Sequence, residues 1–207
     1  ATTINKVCGS GLKAAMFAHD LIKSGSINSA VAGGMESMSN APYMLPNARS
    51  GMRMGHGEVK DHMMCDGLED AYDNKAMGCF AQDTADQYSI GREQMDNFAL
   101  SSLTKANSAI ETGAFANEIA AHTISTRKGD VTVAIDEQPG NARPDKIQGL
   151  RPAFKKDGTI TAANSSSISD GAAALVLMRE SDAKAQGLTP LCRIVAHSTH
   201  SQAPSEF

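Results

Sequence analysis

Apolar positions at the start of the chain switch from a strand-like spacing to a helix-like spacing. A β-branched run over residues 2–7 predicts a strand. Apolar residues then recur every three or four positions over residues 14–22, which predicts an amphipathic helix that Gly25 closes. Residues 30–32 predict a second, buried strand. Strand, helix and strand within about 40 residues have the size of a βαβ unit, which implies a mostly parallel sheet covered by helices.

Residues 39–158 follow a different pattern and are predicted to form an insertion. The first part, up to about residue 73, is irregular and rich in Met, Pro, Asn and Gly. Gly113 ends the clearest helical stripe, and the residues around Lys128 form the turn of a predicted hairpin. The predicted elements are helices over residues 80–88 and 92–111 and strands over residues 119–126 and 131–135.

Alternation of strands and helices resumes in residues 159–207. Strands are predicted over residues 159–163, 171–178 and 191–198, with a short helix over residues 181–185. The simplest interpretation is one α/β domain, built from residues 1–38 and 159–207, that an α+β insertion interrupts.

Composition narrows the classes of function. The net charge is -4, the 19 basic residues are scattered and there is no Trp, so neither a nucleic-acid partner nor an anionic membrane surface is expected. No apolar run approaches the roughly 20 residues of a membrane span. Four cysteines without C-x-x-C spacing, and no signal peptide, favour a reducing cytoplasmic location. The chain begins directly in a predicted strand and stops just after another, so both ends are expected to be cut.

Cys8 is the first candidate for chemistry, because it lies where the predicted strand meets the predicted helix. Free N–H groups and the positive end of the dipole at a helix start stabilise a thiolate. The adjacent glycines leave room for a substrate. A thiolate there is a nucleophile toward a thioester carbonyl, and nearby N–H groups are candidates for an oxyanion site. Burial of Cys8 as a small hydrophobe stays an open alternative.

The remaining cysteines and histidines are expected to be structural. His19 lies three turns along the helix from Cys8 and points away from it. His197 and His200, three apart in a predicted strand, face opposite sides of it, which is a poor metal geometry. The sequence therefore predicts no metal site, and its glycine runs match no nucleotide-binding loop.

Several segments carry a family pattern in order along the chain. They are I-N-K-V-C-G-S-G-L-K-A at residues 4–14, G-G-M-E-S-M-S at 33–39, M-G at 77–78, A-D-Q-Y at 85–88, R-E-Q-M-D at 92–96, L-R-P-A-F at 150–154, T-A-A-N-S-S at 161–166 and D-G-A-A-A at 170–174. Together they resemble the thiolases, the acetyl-CoA acetyltransferases and 3-ketoacyl-CoA thiolases, and the resemblance extends over the whole chain.

The resemblance implies a fold and a set of site residues. The fold would be a thiolase-like N-terminal α/β domain, a mixed and mostly parallel sheet with helices, interrupted by an inserted α+β loop domain over residues 39–158. Cys8 would be the nucleophile that takes the acyl group. Met77 would lie near the acyl and pantetheine pocket, and Ala162 and Ser166 would contact the pantetheine arm of coenzyme A. Ala76 stands where biosynthetic thiolases often carry His.

The resemblance also implies a reaction and partners. The reaction would be reversible cleavage of 3-ketoacyl-CoA, or condensation of two acetyl-CoA, in fatty acid metabolism. Acyl-CoA and coenzyme A would be substrates and products, with no resident cofactor and no metal. The protein would be a homodimer or homotetramer.

The sequence departs from the family by what it lacks. It contains no N-E-A-F, G-H-P or C-x-G-G-G segment, which carry the histidine and second cysteine for proton transfer in thiolases. The chain is therefore expected to be a central part of such an enzyme and inactive alone. The alternatives are a non-catalytic acyl-CoA-binding module and a redox or metal protein, and the cysteine spacing argues against the last.

Overall fold

The computed structural model describes residues 1–206, and contacts divide the chain into two compact units. The first unit comprises Ala1–Asn74 and Ile168–Pro204, and the second comprises Lys75–Ser167 with the residues from Ser205 on. The predicted domains have other bounds, since residues 39–74 lie in the first unit and residues 159–167 in the second. The division into domains after residues 38 and 158 stays a prediction.

Five helices and six strands make up the regular structure of the described residues. The helices are α1 (Ser10–Lys23), α2 (Met77–Gln87), α3 (Arg92–Thr112), α4 (Glu137–Asn141) and α5 (Glu180–Ala185). The strands are β1 (Ser29–Ser37), β2 (Tyr43–Met44), β3 (Lys60–Asp61), β4 (His122–Thr126), β5 (Gly129–Val133) and β6 (Asp170–Met178). Short 3₁₀ turns cover Met38–Asn40, Pro144–Gly149 and Pro204–Glu206, and a π turn covers Met64–Leu68.

The first unit is organised around the pairing of β1 with β6. The two strands run antiparallel over their full lengths, from the pair Ser29–Met178 to the pair Ser37–Asp170. Helix α1 packs against this ribbon, and its buried residues are Ala18 and Ile22. The ribbon and the helix approach closely at two glycines, because a Cβ on Gly34 would lie 3.5 Å from the Cα of Gly11.

The second unit holds the predicted helices and the predicted hairpin. α3 ends at Gly113 in a left-handed conformation (φ 65°), as the sequence predicts. β4 and β5 pair antiparallel, which confirms the hairpin, although its turn is at residues 127–128, just before Gly129. Apolar residues alone do not fill this core, because Gln82, Asp96 and Thr161 are 1%, 2% and 0% exposed.

The prediction of a mostly parallel sheet is wrong for the described residues. Their strands form three separate two-stranded sheets, β1–β6, β2–β3 and β4–β5, and each is antiparallel. The predicted combination of helices and strands is confirmed. A βαβ-sized spacing of strand, helix and strand predicted parallel neighbours, but the strand that pairs with β1 comes from the far end of the chain.

Three predicted strands, over residues 2–7, 159–163 and 191–198, form no ladder within the described residues. A β pattern in the sequence marks extended backbone, whereas a strand also needs a neighbour for its N–H and C=O groups. In residues 159–161 the side chains of Gln82 and Asn164 accept the backbone N–H groups instead. Residues 2–7 end in a turn at Val7, where φ is 46°.

Adding a methyl group at Gly33 is expected to destabilise the protein. The Cβ of Gly33→Ala would lie 2.1 Å from the carbonyl oxygen of Ala173 in the paired strand, so the backbone must shift. We expect the free energy of unfolding in urea to fall by about 1–3 kcal/mol. Gly34→Ala is the matched control, because its Cβ would meet only ordinary contacts at 3.5 Å. Equal stability of the two variants would contradict this account of the β1–β6 packing.

Candidate functional site

Cys8 lies at the tip of a tight turn directly before α1. The N–H of Gly9 donates to the carbonyl of Lys6 at 3.0 Å, which closes a four-residue turn with Cys8 as its third residue. Gly9 is also the N-cap of α1. The thiol of Cys8 is exposed. Cys8 therefore lies at the entrance to a helix, as the sequence predicts, and it is exposed.

Two polar side chains of the same segment hold this turn. The hydroxyl of Ser10 accepts from the N–H of Lys6 at 2.8 Å and donates to the carbonyl of Val7 at 2.7 Å. Asn5 accepts from the N–H of Val7 at 2.9 Å. Asn5 and Ser10, two polar residues of the segment N-K-V-C-G-S-G, thus shape the backbone on either side of the cysteine.

The residue before Cys8 is strained. Val7 has a φ of 46°, and a β-branched residue in this left-handed region is rare and costs about 1–3 kcal/mol. Such strain persists only when the surroundings determine it, and the Ser10 and Asn5 hydrogen bonds do so here. A strained turn that leads into a helix, with a side chain exposed at its tip, is also the geometry of the nucleophile in α/β-hydrolases.

The turn also restricts which groups can bind an oxyanion. The N–H groups of Gly9 and Ser10 donate to the carbonyls of Lys6 and Val7, at 3.0 and 3.2 Å. Both N–H groups are therefore already hydrogen-bonded within the turn. An oxyanion formed at Cys8 must find its donors elsewhere, which narrows the expectation drawn from the sequence.

Asp170 connects two of the segments that carry the family resemblance. Its carboxylate accepts from the N–H of Ser39 at 2.9 Å. This backbone hydrogen bond, with smaller contributions from the Ser39 and Ser37 side chains, holds the pKa of Asp170 below its ordinary value. The segment of residues 33–39 is thus fixed at the end of the β1–β6 ribbon, in the same unit as Cys8.

In the second unit, Gln82 holds the loop of residues 159–167. Its side-chain oxygen accepts from the N–H groups of Thr159 and Ile160, at 2.8 and 3.2 Å. Its side-chain nitrogen donates to the Thr159 hydroxyl at 3.0 Å and to Asp86 at 2.9 Å. Hydrogen bonds from Lys155 first, and then from Gln82, hold the pKa of Asp86 below its usual range. One buried amide thus fixes the start of the loop.

Asn164 and Asp96 fix the middle of the same loop. Asn164 accepts from the N–H of Thr161 at 2.7 Å and donates to the carboxylate of Asp96 at 3.1 Å. The other oxygen of Asp96 accepts from Arg92 at 2.7 Å, and Arg92 also donates to the carbonyls of residues 147, 148 and 150. The chain Arg92–Asp96–Asn164 therefore joins α3 to two loops.

The structure places the three predicted coenzyme A contacts in the second unit. Met77 is the half-buried first residue of α2, and Ala162 and Ser166 are exposed on the loop held by Gln82 and Asn164. An open cleft of about 480 Å³ is lined by α3, by the segment of residues 138–150 and by this loop. Ala162 lines the cleft, whereas Met77 and Ser166 are not among its lining residues. Its volume is in the range of small-molecule sites.

The sequence predicts no functional role for Gln82, Asp96 or Asn164. The spacing of Arg92 and Asp96, four residues apart on a helix, was a signal for their pair. Nothing in the local pattern indicated that Gln82, 77 residues before Thr159, would replace a strand neighbour.

The described residues form a chain of α/β content with an exposed cysteine on a strained turn at a helix start. A family model for the N-terminal domain of thiolases matches residues 1–181. The chain belongs to the thiolase family. The resemblance carried by the segments around Cys8 is thereby confirmed.

Curated relatives agree over almost the whole chain. It is 49% identical over 205 residues to the acetyl-CoA acetyltransferase of Escherichia coli K12, covering 98% of this chain and 52% of that protein. It is 48% identical over 200 residues to that of Cupriavidus necator, covering 96% of this chain and 51% of the relative. The chain spans about half the length of the curated relatives it matches.

Solved structures show the same relationship. The crystal structure of the Bacillus anthracis acetyl-CoA acetyltransferase matches with a TM-score of 0.92 and 42% identity, over 98% of this chain and 52% of that one. An acetyl-CoA acetyltransferase from Syntrophomonas wolfei matches with a TM-score of 0.82 and 42% identity, over 89% of this chain and 46% of the other. No helix among residues 1–206 has the length and apolar character that a membrane span requires.

Truncating Gln82 is expected to release the loop of residues 159–167. Gln82→Ala removes the acceptor of the buried N–H of Ile160 and of the half-buried N–H of Thr159, so we expect the free energy of unfolding to fall by about 2–4 kcal/mol. Gln87→Ala, at the exposed end of the same helix, is the matched control and should leave stability within about 0.5 kcal/mol of the original. Urea unfolding measures both. A loss in Gln82→Ala no larger than in the control would contradict the role of this amide.

Proposed function

We propose that this chain carries the acyl-accepting cysteine of a thiolase-type acyl-CoA acyltransferase. The observation that carries the proposal is the exposed thiol of Cys8, on a strained turn at the start of α1, within the segment that resembles the thiolase nucleophile. The names of the curated relatives, acetyl-CoA acetyltransferases, support the same class of reaction.

The proposed reaction forms and breaks a thioester at Cys8. In condensation, the Cys8 sulfur bonds to the carbonyl carbon of acetyl-CoA, the bond from that carbon to the coenzyme A sulfur breaks, and coenzyme A leaves as the thiol. A second acetyl-CoA loses a proton from its methyl carbon, which then takes the acetyl group and releases the Cys8 sulfur. Cleavage of a 3-ketoacyl-CoA is the reverse sequence. Coenzyme A is substrate and product, and the reaction uses no resident cofactor.

The protons in this scheme need acid–base groups. Thiolases hold them in the N-E-A-F, G-H-P and C-x-G-G-G segments, and this sequence contains none of the three. We therefore propose that the chain alone accepts an acyl group at Cys8 without completing turnover. A second candidate function, acyl-CoA binding without any covalent step, is favoured by the same observation.

The proposed coenzyme A contacts are Met77, Ala162 and Ser166. The exposed position of Ala162 in a cleft of about 480 Å³ supports its contact with the pantetheine arm. The hydrogen bonds of Gln82 and Asn164 hold the backbone of that loop, so a ligand would meet a preformed surface. Residues 39–158 would serve as the loop domain that covers coenzyme A.

The proposed setting is the cytoplasm, in fatty acid metabolism, with the protein as a homodimer or homotetramer. One face of the β1–β6 ribbon supports association, because Val31, Met35 and Val176 are exposed on it. α1 packs against the same ribbon.

Acylation of Cys8 tests the proposed function. Purified chain incubated with acetyl-CoA should gain the mass of one acetyl group, located at Cys8 by peptide mapping, and acetyl-CoA should slow iodoacetamide labelling there. Cys8→Ser should abolish the acetyl adduct. Cys192→Ser, which removes another exposed thiol, should retain it. Protection of Cys8 from labelling without an adduct would instead support the non-covalent binding module, and neither effect would refute both functions.

Disrupting the exposed ribbon face tests the proposed association. Val176→Lys places a charge on this face, and we expect it to lower the mass of the assembly in sedimentation equilibrium by at least twofold. Thr132→Lys, on an exposed position of the separate hairpin, should leave the mass unchanged. An assembly of unchanged mass in Val176→Lys would mean that this face is not the interface.

A further inference from the structure

Three metal-ligating side chains of the first unit converge far from Cys8 along α1. His19 and Asp20 lie near the C-terminal end of α1, and His197 lies in the non-helical segment of residues 188–203. One carboxylate oxygen of Asp20 is 2.9 Å from Nδ1 of His19 and 2.8 Å from Nε2 of His197. The three ligand atoms all lie within 4.8 Å of one another.

The environment of the cluster differs from that of scattered surface residues. The side chains of His19 and His197 are only 18% and 26% exposed, whereas that of Asp20 is 56% exposed. The two rings meet edge to face, with centroids 5.0 Å apart and an interplanar angle of 88°. The imidazoles are therefore held against each other, while the carboxylate side of the cluster opens to solvent.

The arrangement of the ligand atoms also suits a cation. A single carboxylate oxygen of Asp20 lies between Nδ1 of His19 and Nε2 of His197, within hydrogen-bonding distance of both. A metal ion would take the place of the hydrogen bonds that join the two ring nitrogens to this carboxylate.

We propose that His19, Asp20 and His197 form a binding site for a first-row transition-metal ion, with Zn²⁺ as the best match. Two imidazole nitrogens, one carboxylate oxygen and a water would complete the tetrahedral set that Zn²⁺ prefers. With bonds of about 2.0–2.2 Å, ligand atoms of such a site lie roughly 3.3 Å apart. The two N–O distances in the cluster therefore need to widen by about half an ångström, and the two ring nitrogens, which lie within 4.8 Å of each other, need to approach by up to about 1.5 Å.

The site would serve structure and not acyl transfer. His197 lies 177 residues after Asp20, and its contact with Asp20 holds the segment of residues 188–203 against α1. Lys13 and Thr199 make a further contact between this segment and α1, a long hydrogen bond of 3.5 Å. A bound ion would replace a hydrogen-bonded contact by coordinate bonds and fix the segment on the helix. Cys8 precedes the opposite end of α1, so the ion would not reach its sulfur.

Sequence spacing could not reveal this set. Adjacent residues such as His19 and Asp20 do not form a recognised ligand pair, and His197 lies 177 residues after Asp20 in the chain. Residues 188–203 form no helix and no strand, and the path of this segment brings the third ligand to α1.

Competition for Zn²⁺ tests the site. Purified chain, freed of metal with a chelator and dialysed, is titrated with Zn²⁺ against a chromophoric chelator, and one equivalent should bind. His197→Gln should weaken this binding roughly 10- to 100-fold. His200→Gln, three residues away in the same segment and outside the cluster, is the matched control and should bind like the original chain. Equal Zn²⁺ affinity in all three proteins, or none in any, would overturn the proposal.

A spectroscopic measurement keeps the test decisive if His197→Gln folds poorly. Cu²⁺ bound to the unaltered chain should show superhyperfine coupling to two imidazole nitrogens in its electron paramagnetic resonance spectrum. Co²⁺ should give the visible absorption of a tetrahedral site without a thiolate charge-transfer band. Coupling to fewer than two nitrogens, or a thiolate band, would assign the metal to the free cysteines and overturn the site.

Discussion

A buried carboxylate sets the main constraint on the second unit. Asp96 is 2% exposed, and an unpaired charge in that position would cost several kcal/mol. Arg92 and Asn164 satisfy its two oxygens, and their remaining donors and acceptors fix the loops of residues 147–150 and 159–164. Gln82 also fixes the start of the loop of residues 159–167, through a neutral amide instead of a charged group. Polar groups in this core thus specify the path of loops that carry few apolar anchors.

In both units, polar side chains hold a backbone segment that carries a candidate site residue. In the first unit the backbone around Cys8 is strained at Val7, and Ser10 and Asn5 hold it with short hydrogen bonds. In the second unit Gln82 accepts from the N–H groups of Thr159 and Ile160, at the start of the loop that carries Ala162. Polar side chains thus hold both segments, from nearby positions in the first unit and from a distant helix in the second.

Local sequence patterns predicted most of the helices and strands, but few of the contacts between residues far apart in the chain. The stripes of α1 and α3, and the glycines at residues 25 and 113, determine helices and their ends through contacts a few residues apart, so the sequence indicates them directly. The exposed position of Cys8 at a helix start follows from the same local rules. Strand pairing depends on residues far apart in the chain, and for that reason the parallel sheet was wrong and the His19–Asp20–His197 cluster went unseen.

The pairing of β1 with β6 has a consequence for how the chain is made. The partners lie about 140 residues apart, which gives this ribbon a high contact order and a slow closing step. At a synthesis rate of about 5–20 residues per second, β1 waits roughly 7–30 s on the ribosome before β6 exists. During that interval the apolar residues of β1 lack their β6 partner, whereas the helices and hairpin of the second unit can form as they emerge. Chaperone capture of the nascent chain would therefore matter most between the synthesis of these two strands.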